Sequence, residues 1–210
     1  MSWHQEVLPA EQREVLRQLG PVAHDLGFYL GGGTAVALHL GHRQSLDLDW
    51  FTGQMIGDPL ELAKDVQSGG VDLRATSIHR RTLHATASGV RVSFLESRYL
   101  SLSPPVACPE FGCEIAALAD LAAMKLLAVA QRGTKKDFVD VHSLGQHGLS
   151  LNAMLDCYRK KFCLEDIARV VFSLCYFDDA EPAPMPEMLV DTTWEDVKRS
   201  LRQWVKSIAG

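Results

Sequence analysis

Gly31-Gly32-Gly33-Thr34-Ala35-Val36-Ala37-Leu38-His39-Leu40-Gly41-His42-Arg43-Gln44-Ser45-Leu46-Asp47-Leu48-Asp49-Trp50-Phe51 decides how this chain is read. The apolar Phe28-Tyr29-Leu30 before it has the character of a short strand. Glycines let backbone come close to a phosphate, and a helix starting after them offers free N–H groups to an anion. The spacing predicts that helix over residues 34–41, closed by Gly41. A strand then carries Asp47 and Asp49. Strand side chains alternate, so both carboxylates share one face while Leu48 and Trp50 take the other. Adjacent carboxylates repel each other, and a hard divalent cation shared with substrate phosphates offsets the repulsion. A phosphate cradle, a cation and paired carboxylates are the parts of a nucleotidyl-transfer site. Taken singly, a glycine run is a turn and Asp-x-Asp a solvated strand edge; their order and spacing carry the stronger reading.

Two further blocks stand downstream. Asp120-Leu121-Ala122-Ala123-Met124-Lys125 is followed by Arg132-Gly133-Thr134-Lys135-Lys136-Asp137-Phe138-Val139-Asp140. Tyr176-Phe177-Asp178-Asp179-Ala180-Glu181 precedes Pro184-Met185-Pro186. Lys125 and Arg132 are two helical turns apart and can face one side. Asp137 and Asp140 can share a face of the next helix. A lysine on an otherwise apolar helix such as that around Lys125 snorkels or meets an anion. The bland alternative is a structural ion-pair cluster between two helices.

With Gly31 to Ala35 and Gly41-His42-Arg43-x-Ser45-x-Asp47-Leu48-Asp49, these blocks resemble the nucleotidyltransferase superfamily. More closely they resemble its AbiEii branch, the toxin half of abortive-infection toxin–antitoxin pairs. The resemblance runs from about residue 25 to the C-terminus. It implies metal-dependent transfer of a nucleotide from a nucleoside triphosphate, with Mg²⁺ or Mn²⁺, to an acceptor such as tRNA, and an antitoxin protein as partner. It implies catalytic roles for Asp47, Asp49, Lys125 and Asp137, with Asp47 and Asp49 as metal ligands. Nucleotide binding falls to Gly32, Gly33, Thr34, Arg43, Ser45, Lys125 and Arg132. The superfamily also takes a third carboxylate from a later strand. Here that strand is Gly89 to Glu96, and the matching position is Ser93, with Glu96 the nearest acid. This departure leaves two rivals open: a degenerate fold that binds nucleotide or a partner without turnover, and a transferase acting on a protein or small molecule.

Outward from the site, the expected fold is α/β: a nucleotidyltransferase-like mixed sheet with flanking helices over residues 1–115, then a helical part over 116–210. Residues 9–26 read as an amphipathic helix kinked or split at Pro21. Asp58-Pro59 opens another helix. Residues 71–77, 82–88 and 90–96 read as strands, with a hairpin at Ser88-Gly89. Prolines 104, 105 and 109 mark a connection. Helices follow over 117–131, 135–146, 151–161 and 164–176. Residues 179–186 form a proline-rich loop, and Thr193-Trp194-Glu195-Asp196 caps a last helix.

The 210 residues suffice for one domain with a helical annex. A net charge of −5 argues against a generally basic nucleic-acid binder, so any RNA contact needs a local patch. Five cysteines, with no secretory leader at the start, are expected as reduced thiols in a cytosol. No apolar stretch approaches the ~20 residues that cross a bilayer.

Overall fold

Alternation of apolar and polar side chains builds one mixed sheet. The computed structural model describes residues 2–209. The strands are β1 Tyr29–Gly31, β2 Leu48–Thr52, β3 Leu73–His79, β4 Thr82–Ala87, β5 Val90–Glu96, β6 Val106–Cys108 and β7 Cys113–Ile115. Their order is β3-β4-β5-β2-β1-β7-β6. β2 lies antiparallel to β1 and parallel to β5, so the strand that carries Asp49, with Asp47 just before its start, is central. Leu48, Trp50, Val92 and Phe94 are buried on one face, where α1 and α3 pack; the residues between them face the other way. Ser88 and Gly89 both have positive φ, as a two-residue hairpin turn requires.

The helices are α1 Ala10–Asp25, α2 Gly32–Leu40, α3 Pro59–Ser68, α4 Leu118–Gln131, α5 Lys135–Gln146, α6 Leu151–Phe162, α7 Ala168–Ser173 and α8 Trp194–Ala209. Their ends follow local chemistry. Asp58 accepts from the Leu60 amide at 2.9 Å to start α3. Gly41, at φ 65°, closes α2. Asp196 accepts from the Thr193 amide while its own amide donates to Thr193 Oγ1, a reciprocal cap on α8. α2 is buried all round from Thr34 to Leu40, because it lies between β1 and β2 on one side and α4 and α5 on the other. The apolar core is one cluster running through both halves of the chain.

Three expectations change. The helix expected over 164–176 shrinks to Ala168–Ser173: Cys163 ends α6 in the left-handed conformation, and the Asp166 carboxylate caps the Ala168 amide at 2.8 Å. α1 runs unbroken through Pro21, whose ring packs against Gly112. The connection after residue 104 holds β6 and β7, three residues each, too short for a period to show. Among the described residues no helix is long and apolar enough to cross a membrane.

Candidate active site

The glycine bend joins β1 to α2. Gly32 has φ 65°, a conformation that a side chain strains. A Cβ on Gly32 would stand 2.5 Å from Asp49 Oδ2. One on Gly33 would stand 2.6 Å from Arg43 Nη2 and 3.6 Å from Lys125 Nζ. The bend therefore admits carboxylate, guanidinium and ammonium against bare backbone. A cavity of about 580 Å³ opens here. Its polar wall includes Gly32, Gly33, Asp47, Asp49 and Lys125, and its apolar wall includes Tyr99, Met124 and Phe162.

Asp47 and Asp49 both line this cavity, as strand alternation predicts. Asp47 Oδ1 is 2.7 Å from Arg91 Nη2, an ion pair without hydrogen-bond alignment, and Asp47 Oδ2 is 3.5 Å from Lys136 Nζ. Both partners are on the rim, with side chains 73% and 44% exposed. Asp49 makes no ion pair among the described residues. Burial, then the charge of Asp47, pushes its carboxyl above the usual range, against the pull of Lys125. Two carboxylates in this condition suit a divalent cation. Among the described residues no three His, Cys, Asp or Glu side chains form a metal cage. The protein thus offers two acids, and the remaining ligands would come from substrate phosphate and water, a donor set that Mg²⁺ accepts.

Beneath the bend, Lys125 Nζ lies 3.1 Å from Asp137 Oδ1 and 2.7 Å from Asp140 Oδ2. Arg132 donates to both oxygens of Asp137, at 2.8 and 3.0 Å, and the Thr134 hydroxyl adds a bond at 2.6 Å. Burial pushes the Asp137 carboxyl up, but the Arg132 bonds and the Lys125 charge win and hold it at about 2. Asp140 is also buried, and Arg43, Lys125 and His42 hold it well below the carboxylate range despite that burial. The structure thus brings both blocks together.

Arg43 reaches the cavity edge, but its guanidinium is seated on Asp140, Nε at 2.7 Å and Nη2 at 2.8 Å, with Nη1 on the Gln44 carbonyl at 2.8 Å. Most of its donors therefore serve the scaffold. Thr34 donates to the Asp47 carbonyl, and its Oγ1 lies 2.8 Å from Ser45 Oγ. These hydroxyls tie α2 to the start of β2, and both residues line the cavity.

Ser93 and Glu96 both line the cavity but differ in their surroundings. Ser93 pairs in register with Asp49. Glu96 pairs with Thr52 and is occupied at the strand end: Oε1 lies 3.0 Å from Arg98 Nε, and Oε2 accepts from the Ile56 amide at 3.1 Å. Sequence reasoning missed His84, Arg91 and Lys136, all of which line the cavity. Arg91 sits on the face already assigned to Ser93, and Lys136 adjoins Asp137; either signal was there to be read. The third block is structural. Glu181 holds Lys198 at 2.8 Å and the Trp194 ring N–H at 3.0 Å, and the chain beyond it pairs Gln44 with Glu187 and Leu189 with His42.

A family model described as nucleotidyl transferase AbiEii toxin, type IV TA system, matches residues 61–205. The chain belongs to the AbiEii nucleotidyltransferase toxin family. An uncharacterized protein of Aquifex aeolicus (strain VF5) is 34% identical over 201 residues, covering 95% of this chain and 96% of the relative. Two solved structures share the fold. MenT4, a nucleotidyltransferase toxin of Mycobacterium tuberculosis H37Rv, has a TM-score of 0.61 at 14% identity, over 92% of this chain and 82% of that one. A candidate nucleotidyltransferase of H. pylori has a TM-score of 0.55 at 19% identity, over 98% of this chain and 92% of that one. As an AbiEii-family protein, the chain is a nucleotidyltransferase built on a mixed α/β sheet.

Proposed function

We propose that this AbiEii-family enzyme transfers a nucleotide from a nucleoside triphosphate to the 3′ end of tRNA, with a divalent cation, as the toxin of a toxin–antitoxin pair. One observation carries the reading: the Asp49 carboxylate lies against Gly32 while Lys125 Nζ lies beside Gly33, at one bend and in one cavity. Triphosphate lies over the bend, taking backbone N–H groups of Gly32, Gly33 and Thr34. Asp47 and Asp49 are the residues that would hold Mg²⁺ or Mn²⁺. A cation bound there would supply charge neutralisation on the phosphates and acidify the attacking hydroxyl. Lys125, held by Asp137 and Asp140, places its charge on the phosphates, and Arg132 adds a second cation at the rim. The acceptor oxygen bonds to the α-phosphorus, the α–β bridge breaks, pyrophosphate departs and the hydroxyl proton passes to solvent.

A polyanionic acceptor suits the cavity charge. Of the cations that line the cavity, Arg43, Lys125 and Lys161 are paired from beneath with Asp140, Asp137 and Asp120, whereas Arg91, Arg132 and Lys136 stand exposed on the rim. These rim cations are the groups an RNA backbone would meet, the local contact that a chain of net charge −5 needs for RNA binding. The five cysteines are free thiols, in keeping with a cytoplasmic site of action. Incubation with labelled nucleoside triphosphates, Mg²⁺ and total tRNA tests the reading. Label on tRNA is the expected result. Label on protein or a small molecule would redirect the acceptor, and no incorporation with any acceptor would remove the proposal.

A further inference from the structure

We propose that Ser93 and His84 form a hydrogen-bonded relay that fixes the Asp49 carboxylate, with His84 a positioning residue of the transfer site. This rests on the reading of Asp49 as a metal-bearing carboxylate. Strand register supplies the first argument. Asp49 pairs with Ser93 across β2 and β5, and Ser93 pairs with His84 across β5 and β4. Residues opposite one another in a sheet share a face, and these three all line the cavity. His84 Nδ1 lies 3.1 Å from Ser93 Oγ.

The second argument is what surrounds Asp49. Asp47 is paired with Arg91 and Lys136, Asp137 with Lys125 and Arg132, and Asp140 with Arg43 and Lys125. Asp49 has no such cation among the described residues. The polar side chain set directly opposite it, in register on the neighbouring strand and in the same cavity, is Ser93.

Donor chemistry then orders the chain. A carboxylate only accepts, and a serine hydroxyl has one proton. With that proton given to Asp49, Ser93 Oγ accepts from His84, so the imidazole carries its proton on Nδ1. The relay sets the direction of the carboxylate without placing a third negative charge in the site.

The test measures Mn²⁺ affinity in the presence of a non-hydrolysable nucleoside triphosphate, alongside kcat and KM for transfer. Ser93→Ala and His84→Ala are expected to weaken Mn²⁺ binding and lower kcat by about 10–100-fold each, as loss of an outer-shell partner does, with triphosphate KM nearly unchanged. His84→Asn places an amide N–H at the Nδ1 position and is expected to recover most of both. Ser93→Asp in the His84→Ala background supplies a direct carboxylate and is expected to restore Mn²⁺ affinity. Parental Mn²⁺ affinity and kcat in both alanine variants would overturn the relay, as would His84→Asn behaving like His84→Ala. Ser93→Ala, which removes one oxygen, keeps the test decisive should His84→Ala fold poorly. Asp49→Asn run in parallel separates the two ideas. If it abolishes Mn²⁺ binding while the alanine variants do not, the relay alone falls. If it leaves Mn²⁺ binding and transfer intact, the underlying reading falls too.

Discussion

The Asp49 carboxylate occupies the space that a side chain on Gly32 would fill, with Oδ2 only 2.5 Å from a Cβ built there. Gly32→Ala must therefore either push Asp49 away or move the bend. The left-handed backbone adds about 1–2 kcal/mol of its own. The expected outcome is a loss of that order in urea-unfolding stability and a fall in transfer of about 100-fold, since small misplacement of reacting groups costs that much. Parental activity in this variant would show that the bend and Asp49 need not meet during turnover.

Asp49→Asn should separate stability from activity. The Asp49 carboxyl is raised above its ordinary 3.8 by burial and by Asp47. A raised acid favours the folded state while protonated, so that contribution is lost as pH climbs through the folded value. At pH 7 without divalent cation, the asparagine variant should melt at or above the parent temperature while transfer is lost. The gap should narrow below pH 4, where both side chains are neutral. A variant less stable than the parent at pH 7 would show that Asp49 is not a destabilised charge.

Arg43→Ala tests whether Arg43 acts first as scaffold. Its removal takes two hydrogen bonds from the buried Asp140, leaving it to Lys125 and His42, and the loss is bounded by the about 3–5 kcal/mol of breaking a buried pair. A large drop in the urea midpoint is expected. Arg43→Lys should recover only part of it, because an ammonium cannot match the two-point grip. An unchanged midpoint with a raised triphosphate KM would instead mark Arg43 as a substrate contact.

Asp137 should make the protein acid-sensitive. Its carboxyl is held at about 2, below the ordinary 3.8. A depressed acid contributes stability that is present above its unfolded value and lost as pH falls through the folded one. Unfolding midpoints should therefore drop between about pH 4 and 2. Asp137→Asn should start lower at pH 6 and fall less over that interval. Identical slopes for parent and variant would remove the claim.

Where the chain's own pattern spoke, it spoke through near neighbours. Leu48 and Trp50 alternate with Asp47 and Asp49, so the buried face and the acidic face followed from a period of two. Asp58, Gly41 and the Thr193–Asp196 pair mark helix ends because their partners are within four residues. β6 and β7 escaped notice because three residues carry no period, and residues 164–167 read as helix because the Asp166 cap that starts α7 at Ala168 lies inside a helix-compatible run. Long-range pairings followed other rules. Arg43 meets Asp140 across 97 positions, and His84 meets Ser93 only because β4 and β5 settle in one register. Such contacts depend on how α2, α4 and α5 bury their apolar sides together, a compromise over the whole core that no window of neighbouring residues contains. Thus the two acids and the glycine bend were written in the order of residues, whereas the seat of Arg43, the partners of Lys125 and the solitary state of Asp49 were decided by packing.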